Sequence, residues 1–289
     1  MDTIETGTFL ERVPFARTGN GRNPILVING GQGFMMAPGR KRMSKDVRRL
    51  KRLLPNDRSF VLVGYDPCPV TLTVEGLADD VADIIDRHLG GRADVVGISY
   101  GDVVASHLAV RSPEKIDRLV LIASAHRFST EGKRRLRRQI ELVESGAMKG
   151  LLKEFTSMFR NPWLNRVVGL RVCIGGNRML QRFGKPEVIV RYLEAMLRSE
   201  LPGADALPFD TRTLIIGGSR DQFFAEAIVE AVSRNCGVRV IVLEGETHMA
   251  PVERATTIKR SIASFLSHGG KHGSSGSLQT TRNLKGSGS

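Results

Sequence analysis

The chain has 289 residues, of which 41% are hydrophobic and 25% charged, and its formal net charge is +13. The length suits one large α/β domain or two small ones, and the composition is ordinary for a soluble globular protein. The excess of Lys and Arg favours anionic partners such as nucleic acid, membrane surfaces or acidic substrates, or else reflects a surface simply rich in arginine.

Cysteine usage and the N-terminus bear on the compartment. Cys68, Cys173 and Cys236 form no C-x-x-C pair, and their odd number argues against a disulfide framework. The first residues lack the apolar stretch of a signal peptide, and no apolar run approaches the roughly 18–20 residues that cross a membrane. The sequence therefore predicts a cytoplasmic protein without stable membrane insertion.

Short apolar runs alternate with helical patterns along the chain, after an N-terminal segment (TFLERVPFARTG) that resembles an antiparallel hairpin strand. The predicted strands are 25–28, 60–66, 93–99, 118–124, 213–218 and 238–245. The predicted helices are 44–54 with Ser44 as N-cap, 74–89, one beginning after Ser99, and one near 251–267. This alternation predicts the α/β class, with a mostly parallel central sheet covered by helices on both faces.

The stretch 127–205 breaks the alternation. It contains no clear strand, but it has helical patterns at 136–145, 148–159 and 186–201. Because it lies between two predicted core strands, we expect a helical lid inserted into a core of two parts, 1–126 and 206–267. Residues 268–289 are rich in Gly and Ser, almost free of apolar side chains and linker-like, so we predict that they are disordered.

The segment Gly97-Ile98-Ser99-Tyr100-Gly101 is the one G-x-S-x-G in the chain. It follows a predicted strand and opens a predicted helix, which is the setting that a nucleophile elbow requires. The helix N-terminus also favours a developing negative charge. This context makes Ser99 the candidate nucleophile.

A serine hydroxyl is a weak nucleophile and needs a base. Four of the six histidines lie in the tail or on predicted helices: His88, His107, His268 and His272. His126 and His248 each follow a predicted strand, where a parallel sheet presents functional side chains. We favour His248, because the elbow predicts the order serine, acid, histidine, and an acid then lies between it and Ser99.

The acid should follow another strand between Ser99 and His248. Asp221 comes three residues after the predicted strand 213–218, where a buried carboxylate would fix the histidine tautomer and stabilise the imidazolium. The alternative for Asp221 is a turn or helix N-cap before FFAEAIVEAV. Asp66, the last residue of the predicted strand 60–66, is the substitute acid.

An acyl-transfer site also needs two donors for the oxyanion. We expect the backbone N–H of Tyr100 to be one donor, because it follows the nucleophile, and the backbone N–H of Gly31 to be the other. Three glycines in the loop NGGQGF after the first core strand permit the close approach required. A phosphate loop is the alternative, but the loop lacks the full G-x-G-x-x-G spacing and a Walker lysine.

Together the segments VINGGQGF, GISYG, GSRDQFF and GETHMAPVE resemble the α/β-hydrolase superfamily, and specifically its lid-bearing esterases, lactonases and aminopeptidases. The resemblance spans about 25–267 and implies a serine hydrolase that uses Ser99, Asp221 and His248, with no cofactor and no metal. Two positions depart from the family pattern, namely Asn29 where histidine is frequent and Asp102 where Gly or Ala is frequent. A carboxylate pointing inward from position 102 would oppose the oxyanion, so we expect it to point away.

Three functions stay open. The first is hydrolysis of an ester, lactone or thioester of a small-to-medium, largely apolar substrate, whose pocket the lid would form. The second is a peptidase or acyltransferase on the same triad, and a peptidase would need a lid carboxylate such as Glu141, Glu144 or Glu154. The third is a non-catalytic binding protein. A nucleic-acid partner is not expected, and the basic run 133–138 is interpreted as a solvated helix face.

Overall fold

The computed structural model describes residues 3–19, 21, 23–125, 127–199, 212–233 and 238–267. His126, the alternative base, lies outside the described residues. So do the end of the predicted lid at 200–205, the start of the second core part at 206–211, and the predicted disordered tail at 268–289.

The described strands form one eight-stranded sheet of order β1-β2-β4-β3-β5-β6-β7-β8. Their bounds are β1 Ile4–Phe9, β2 Val13–Thr18, β3 Ile25–Ile28, β4 Phe60–Val63, β5 Ala93–Ile98, β6 Ile116–Ile122, β7 Arg212–Gly218 and β8 Arg239–Leu243. The hairpin of β1 and β2 is antiparallel and β2 joins β4 antiparallel, whereas β4, β3, β5, β6, β7 and β8 run parallel to one another. The predicted mostly parallel sheet is confirmed.

Helices connect these strands, with a short 3-10 turn at Pro113–Lys115. Their bounds are α1 Gln32–Met35, α2 Arg40–Leu50, α3 Val74–His88, α4 Tyr100–Arg111, α5 Thr130–Glu144, α6 Met148–Thr156, α7 Pro162–Leu180, α8 Pro186–Arg198, α9 Ala225–Ser233, α10 Ala250–Glu253 and α11 Ala255–Ser267.

The helices differ from the sequence-based expectation in three places. The prediction of a helix over 44–54 capped by Ser44 is wrong: α2 begins four residues earlier after Gly39, whose extended backbone ends the preceding loop. The predicted last helix near 251–267 is two helices, because the backbone leaves the helical conformation at Arg254. The sequence patterns did not identify α7, whose apolar residues surround the helix and so give no one-sided periodicity.

The sheet is buried on both faces, as its apolar strands require. Alternate residues of one strand point to opposite faces: Val95 belongs to one buried cluster and Val96 to the other. The same division separates Leu119 from Val120 in the neighbouring strand. Helices α3 and α4 contribute to the first cluster, and α2 and α11 contribute to the second.

The helical insertion, defined as helices α5 to α8, lies between β6 and β7 in the chain. It packs against α1 and the loop after β4 through buried side chains. Tyr192 of α8 stacks on Phe34 at a centroid distance of 4.9 Å, and its hydroxyl donates to the backbone oxygen of Asp66 at 2.8 Å. None of the helices within the described residues is long and apolar enough to cross a bilayer.

Candidate active site

The carboxyl ends of β3, β5, β7 and β8 meet at one edge of the sheet, which we call the site edge. Ser99 lies there between β5 and α4 with a positive φ of 55°, the strained turn expected of a nucleophile elbow. Glycines on both sides permit the turn. A Cβ on Gly97 would lie 2.6 Å from the Cα of Asp102, and one on Gly101 would lie 2.3 Å from the backbone oxygen of Ile28.

Three predicted side chains from distant segments meet at this edge. The Ser99 Oγ lies 2.8 Å from the His248 Nε2, and the His248 Nδ1 lies 3.0 Å from the Asp221 Oδ2 and 3.2 Å from its Oδ1. Both separations suit hydrogen bonds. With Nδ1 protonated and bonded to the carboxylate, the Nε2 is free to accept the serine proton. The arrangement can therefore raise the nucleophilicity of one hydroxyl.

Asp221 makes the contacts expected for both alternatives that the sequence left open for it. Its Oδ1 accepts the backbone N–H groups of Phe223 at 2.8 Å and Phe224 at 3.1 Å, so it also orders the turn before α9. The carboxylate is 3% exposed, and these bonds fix its orientation toward the imidazole. Four hydrogen-bond contacts thus converge on one carboxylate, and together they fix its position.

The histidine ring is held by groups that the sequence patterns did not single out. The backbone N–H of His248 donates to the Gln222 side chain at 3.0 Å, and the ring packs 4.7 Å from that of Phe223 and 6.0 Å from that of Phe224. All three contacts come from the residues directly after Asp221. Their position beside the predicted acid was the available signal.

Gly31 and Tyr100, the two predicted oxyanion donors, are neighbours. A Cβ on Gly31 would lie 2.1 Å from the Tyr100 ring, while one on Gly30 would lie 3.5 Å from the Ser99 Cβ. Among the described residues, no turn, loop or cap hydrogen bond uses the N–H of either Gly31 or Tyr100. The N–H of Tyr100 is in addition the first of a helix, so it has no partner inside α4. Both amides are available to an incoming anion.

Asp102 is completely buried beneath the elbow. Its Oδ1 accepts the hydroxyl of Ser106 at 3.3 Å, one helical turn further along α4 than the elbow. Burial raises the pKa of the Asp102 carboxyl well above its ordinary value, which favours the neutral acid. A neutral group bonded away from Ser99 opposes no developing oxyanion, so the departure at this position is compatible with acyl transfer.

The remaining candidates lie elsewhere. Asp66, the substitute acid, accepts the N–H of Cys68 at 2.7 Å and lies 3.6 Å from the Arg12 guanidinium. His107 is buried on α4 and bonds to the Ser199 hydroxyl at 2.8 Å. The insertion glutamates are on or near the surface: Glu141 pairs with Arg138, Glu144 is exposed, and Glu154 pairs with Arg135.

Glu246 is a further residue of this edge that the sequence did not single out. Its side chain is 2% exposed, and its Oε1 accepts the Arg254 Nε at 2.7 Å and lies 3.3 Å from an Arg160 guanidinium nitrogen. Its backbone oxygen accepts the N–H of Arg220 at 2.9 Å. Glu246 therefore connects the loop after β8 that carries His248, which we call the histidine loop, to the loop after β7 that carries Asp221, and also to the insertion. No local motif marks it, because its partner in the insertion, Arg160, is distant in sequence.

The chain is similar to known proteins along most of its length. A profile described as the alpha/beta hydrolase family matches residues 25–258. Over 87 residues, the chain is 37% identical to a pimeloyl-(acyl-carrier protein) methyl ester esterase of Chromobacterium violaceum, covering 28% of this chain and 34% of that protein. Over 275 residues, it is 25% identical to the dihydrolipoyllysine-residue acetyltransferase component of the acetoin cleaving system of Cupriavidus necator, covering 88% of this chain and 66% of that protein.

Solved structures share the fold at low sequence identity. The enol-lactonase of Burkholderia xenovorans LB400 has a TM-score of 0.69 at 18% identity, with 91% of this chain and 100% of that chain covered. A hydrolase of Pseudomonas aeruginosa PA01 has a TM-score of 0.66 at 19% identity, with 91% and 98% covered. These likenesses extend over the sheet and the helices together.

Proposed function

This chain belongs to the alpha/beta hydrolase family, and from that premise we propose that it hydrolyses carboxylic esters, including lactones or thioesters, through an acyl-enzyme on Ser99. The observation that supports this proposal most directly is the series of contacts from the Ser99 Oγ through both nitrogens of His248 to Asp221. These three side chains supply a nucleophile, a base and an orienting carboxylate in the required order.

In the first step the Ser99 Oγ attacks the carbonyl carbon while its proton passes to the His248 Nε2. Asp221 orients and stabilises the imidazolium that forms. The tetrahedral intermediate collapses, and His248 gives the proton to the departing alkoxide or thiolate. In the second step a water loses a proton to the same nitrogen and attacks the acyl carbon, so that the acid is released and Ser99 recovers its hydrogen.

We assign the stabilisation of the negative charge on the carbonyl oxygen to the backbone N–H groups of Gly31 and Tyr100. Their lack of other partners among the loop and cap bonds of the described residues supports this role. The positive end of α4 adds to it, because Ser99 is the N-cap of that helix. A donor of this kind is worth roughly 100-fold to 1,000-fold in kcat.

Aromatic rings around the site support an apolar acyl or alcohol group. The Tyr100 ring lies 5.7 Å from that of Phe34 and 6.1 Å from that of Phe223, and the latter packs on His248. We assign the helical insertion the role of a lid over this group. Leu151 and Met158 belong to the same buried cluster as these rings, so all of them pack inside the protein, and the rings give the site apolar surroundings.

Ester chemistry is favoured over peptide cleavage by the surroundings of the insertion carboxylates. Glu141 is 63% exposed and paired with Arg138, and Glu154 is paired with Arg135, so each already has a cationic partner. A substrate amine anchored on Glu141 or Glu154 would have to displace one of these pairs, and Glu144 is exposed on the surface. The names of the relatives agree with this preference, since one is a methyl ester esterase and another an enol-lactonase.

Labelling with a fluorophosphonate probe tests the nucleophile. We expect the wild type to be labelled and Ser99→Ala to be unlabelled, whereas Ser106→Ala, a neighbouring buried serine on α4, should still react. Hydrolysis of p-nitrophenyl esters should fall by about 10⁴-fold to 10⁶-fold in Ser99→Ala. Aminoacyl anilides, tested in parallel, should be poor substrates. Equal labelling of wild type and Ser99→Ala would exclude the proposal, and preferred cleavage of the anilides would assign the site to a peptidase.

A further inference from the structure

The outward face of α7 is apolar, and the described residues leave it exposed. Trp163, Leu170 and Ile174 are 64%, 61% and 80% exposed. At about 100° per residue, these three side chains lie within about 40° of one another around the helix. Val172, on the opposite side of the helix, is 2% exposed. One face of α7 therefore packs on the protein and a second apolar face points to solvent.

Arginines border this apolar face on both sides. Arg166 lies about 60° to one side of Trp163, while Arg178 and Arg171 lie about 60° and 80° to the other. All three are exposed, and among the described residues no ion pair involves any of them. The helix sequence PWLNRVVGLRVCIGGNRML contains no Asp or Glu. Its outer face is thus an apolar stripe bordered by arginines that form no ion pair with the described residues.

We propose that this outer face of α7 docks onto the surface of an anionic phospholipid bilayer. An apolar stripe that includes tryptophan, with arginines on its polar borders, is the composition of helices that lie in the membrane interface. The apolar side chains enter the acyl boundary, and the guanidinium groups reach the phosphates while their stems stay over apolar surface. The net charge of +13 attracts the whole chain to such a surface.

Charge complementarity favours a bilayer over the other occupants. A second copy on a two-fold axis would place the row of arginines against itself, which costs energy in an isologous contact. A nucleic acid would satisfy the arginines but would leave Leu170 and Ile174 without apolar partners. An anionic lipid surface satisfies both kinds of side chain at once.

The ends of α7 place this face beside the site edge. Before the helix, the Arg160 N–H donates to Glu253 at 3.0 Å and the Arg160 guanidinium pairs with Glu246 of the histidine loop. After the helix, the Arg182 backbone oxygen accepts the N–H of Ala37 at 2.9 Å, close to the loop that carries Gly31. The 19-residue helix, about 28 Å long, therefore extends between two loops of the site edge. A docked bilayer would lie next to them.

Trp163 is the sole tryptophan of the chain, so its fluorescence reports on this face directly. We measure the emission spectrum and acrylamide quenching of the full chain with vesicles of phosphatidylcholine alone, and with vesicles that also contain phosphatidylglycerol. The expected result is a shift to shorter wavelength and protection from acrylamide with the anionic vesicles only. No change with anionic vesicles at low salt would overturn the proposal, as would equal changes with both kinds of vesicle.

Two variants and their matched controls locate the contact by vesicle co-sedimentation. Ile174→Asp should weaken binding about tenfold or more, whereas Val229→Asp, at a 65% exposed position on α9, should not. Arg166→Glu should weaken binding about 30-fold, whereas Arg138→Glu on α5 should weaken it much less. Circular dichroism verifies that each variant is folded. Equal losses in variants and controls would overturn the assignment to α7.

The other occupants give distinct results. A spectral shift that grows with protein concentration in the absence of vesicles would assign the face to a second copy. Protection of Trp163 by polyglutamate or by an oligonucleotide, to the degree seen with lipid, would assign it to an acidic protein or a nucleic acid. Each of these results overturns the bilayer proposal. None of the measurements depends on hydrolysis by Ser99.

Discussion

The site edge and the helical insertion differ in the hydrogen bonds that hold them in place. At the edge, backbone hydrogen bonds continue from the strands into the loops: Ser99 N–H donates to Ile122 at 3.0 Å and Arg220 N–H to Glu246 at 2.9 Å. The insertion is joined to this edge by both kinds of bond: the backbone N–H of Ala37 donates to Arg182 at 2.9 Å, and the Tyr100 hydroxyl donates to Gln139 of α5 at 2.9 Å. The comparison teaches that the loops of the edge are held by main-chain bonds that continue the strands, whereas the insertion adds side-chain bonds between distant segments.

The largest effect should come from a change within the edge that leaves its backbone intact. Asp221→Asn keeps the size of the side chain but removes the charge that favours the reactive tautomer of His248. We expect kcat for ester hydrolysis to fall about 10⁴-fold while the fold is retained. The control is Asp66→Asn, at the other strand-end aspartate. A small loss in Asp221→Asn and a large one in Asp66→Asn would reverse the assignment of the acid.

The difference between the two regions also explains what the sequence could predict. Ser99, Asp221 and His248 each follow an apolar strand, so the strands alone indicated that they would meet at one edge, and the structure brings them together. The same local signal placed Gly31 beside Tyr100. Their chemical roles stay predictions until activity is measured.

Long-range contacts were beyond the reach of these patterns. Glu246 forms ion pairs with Arg160 of the insertion and with Arg254, and Arg160 is distant from it in sequence. Helix α7 was missed because it carries apolar residues on both its packed and its exposed face. The early start of α2 depends on the backbone of Gly39 rather than on a capping side chain such as that of Ser44. Each of these features is decided by tertiary packing.

The next effect concerns the buried carboxyl beneath the elbow. The pKa of Asp102 is raised in the folded state by burial, so the native protein holds a proton that the unfolded chain releases above about pH 4. The wild type should therefore lose stability as pH rises through the interval between the two pKa values, by up to about 1.4 kcal/mol per pH unit. Asp102→Asn should lack this slope. Urea unfolding between pH 5 and pH 8 measures it.

The control for this slope is Asp83→Asn, because the Asp83 side chain is 55% exposed on α3. Its unfolding free energy should follow that of the wild type at every pH. Parallel curves for wild type and Asp102→Asn would mean that the carboxyl of Asp102 is ionised in the fold. In that case the compatibility of this residue with an oxyanion would have to come from orientation alone.

A smaller effect is expected where the two regions meet. Glu246→Gln removes the charge that pairs with Arg160 of the insertion and Arg254 of the edge, whose side chains are 48% and 42% exposed. Because both guanidinium groups can be hydrated, we expect a loss of about 1–2 kcal/mol in the free energy of unfolding. A double-mutant cycle with Arg160→Ala measures the share that couples the insertion to the histidine loop. A coupling of zero would show that this ion pair adds nothing to the connection between the two regions.

The smallest effect should come from the charged outer surface of the insertion. Arg138 pairs with Glu141 at 3.2 Å on α5, and both side chains are more than half exposed. Water and salt screen such a pair, and ordering two long side chains costs entropy, so Arg138→Ala should change the free energy of unfolding by less than about 0.5 kcal/mol. A double-mutant cycle with Glu141→Ala should give a coupling of similar size. A coupling above about 1 kcal/mol would mean that surface charges hold the insertion together, whereas a value near zero leaves that role to buried residues such as Leu136.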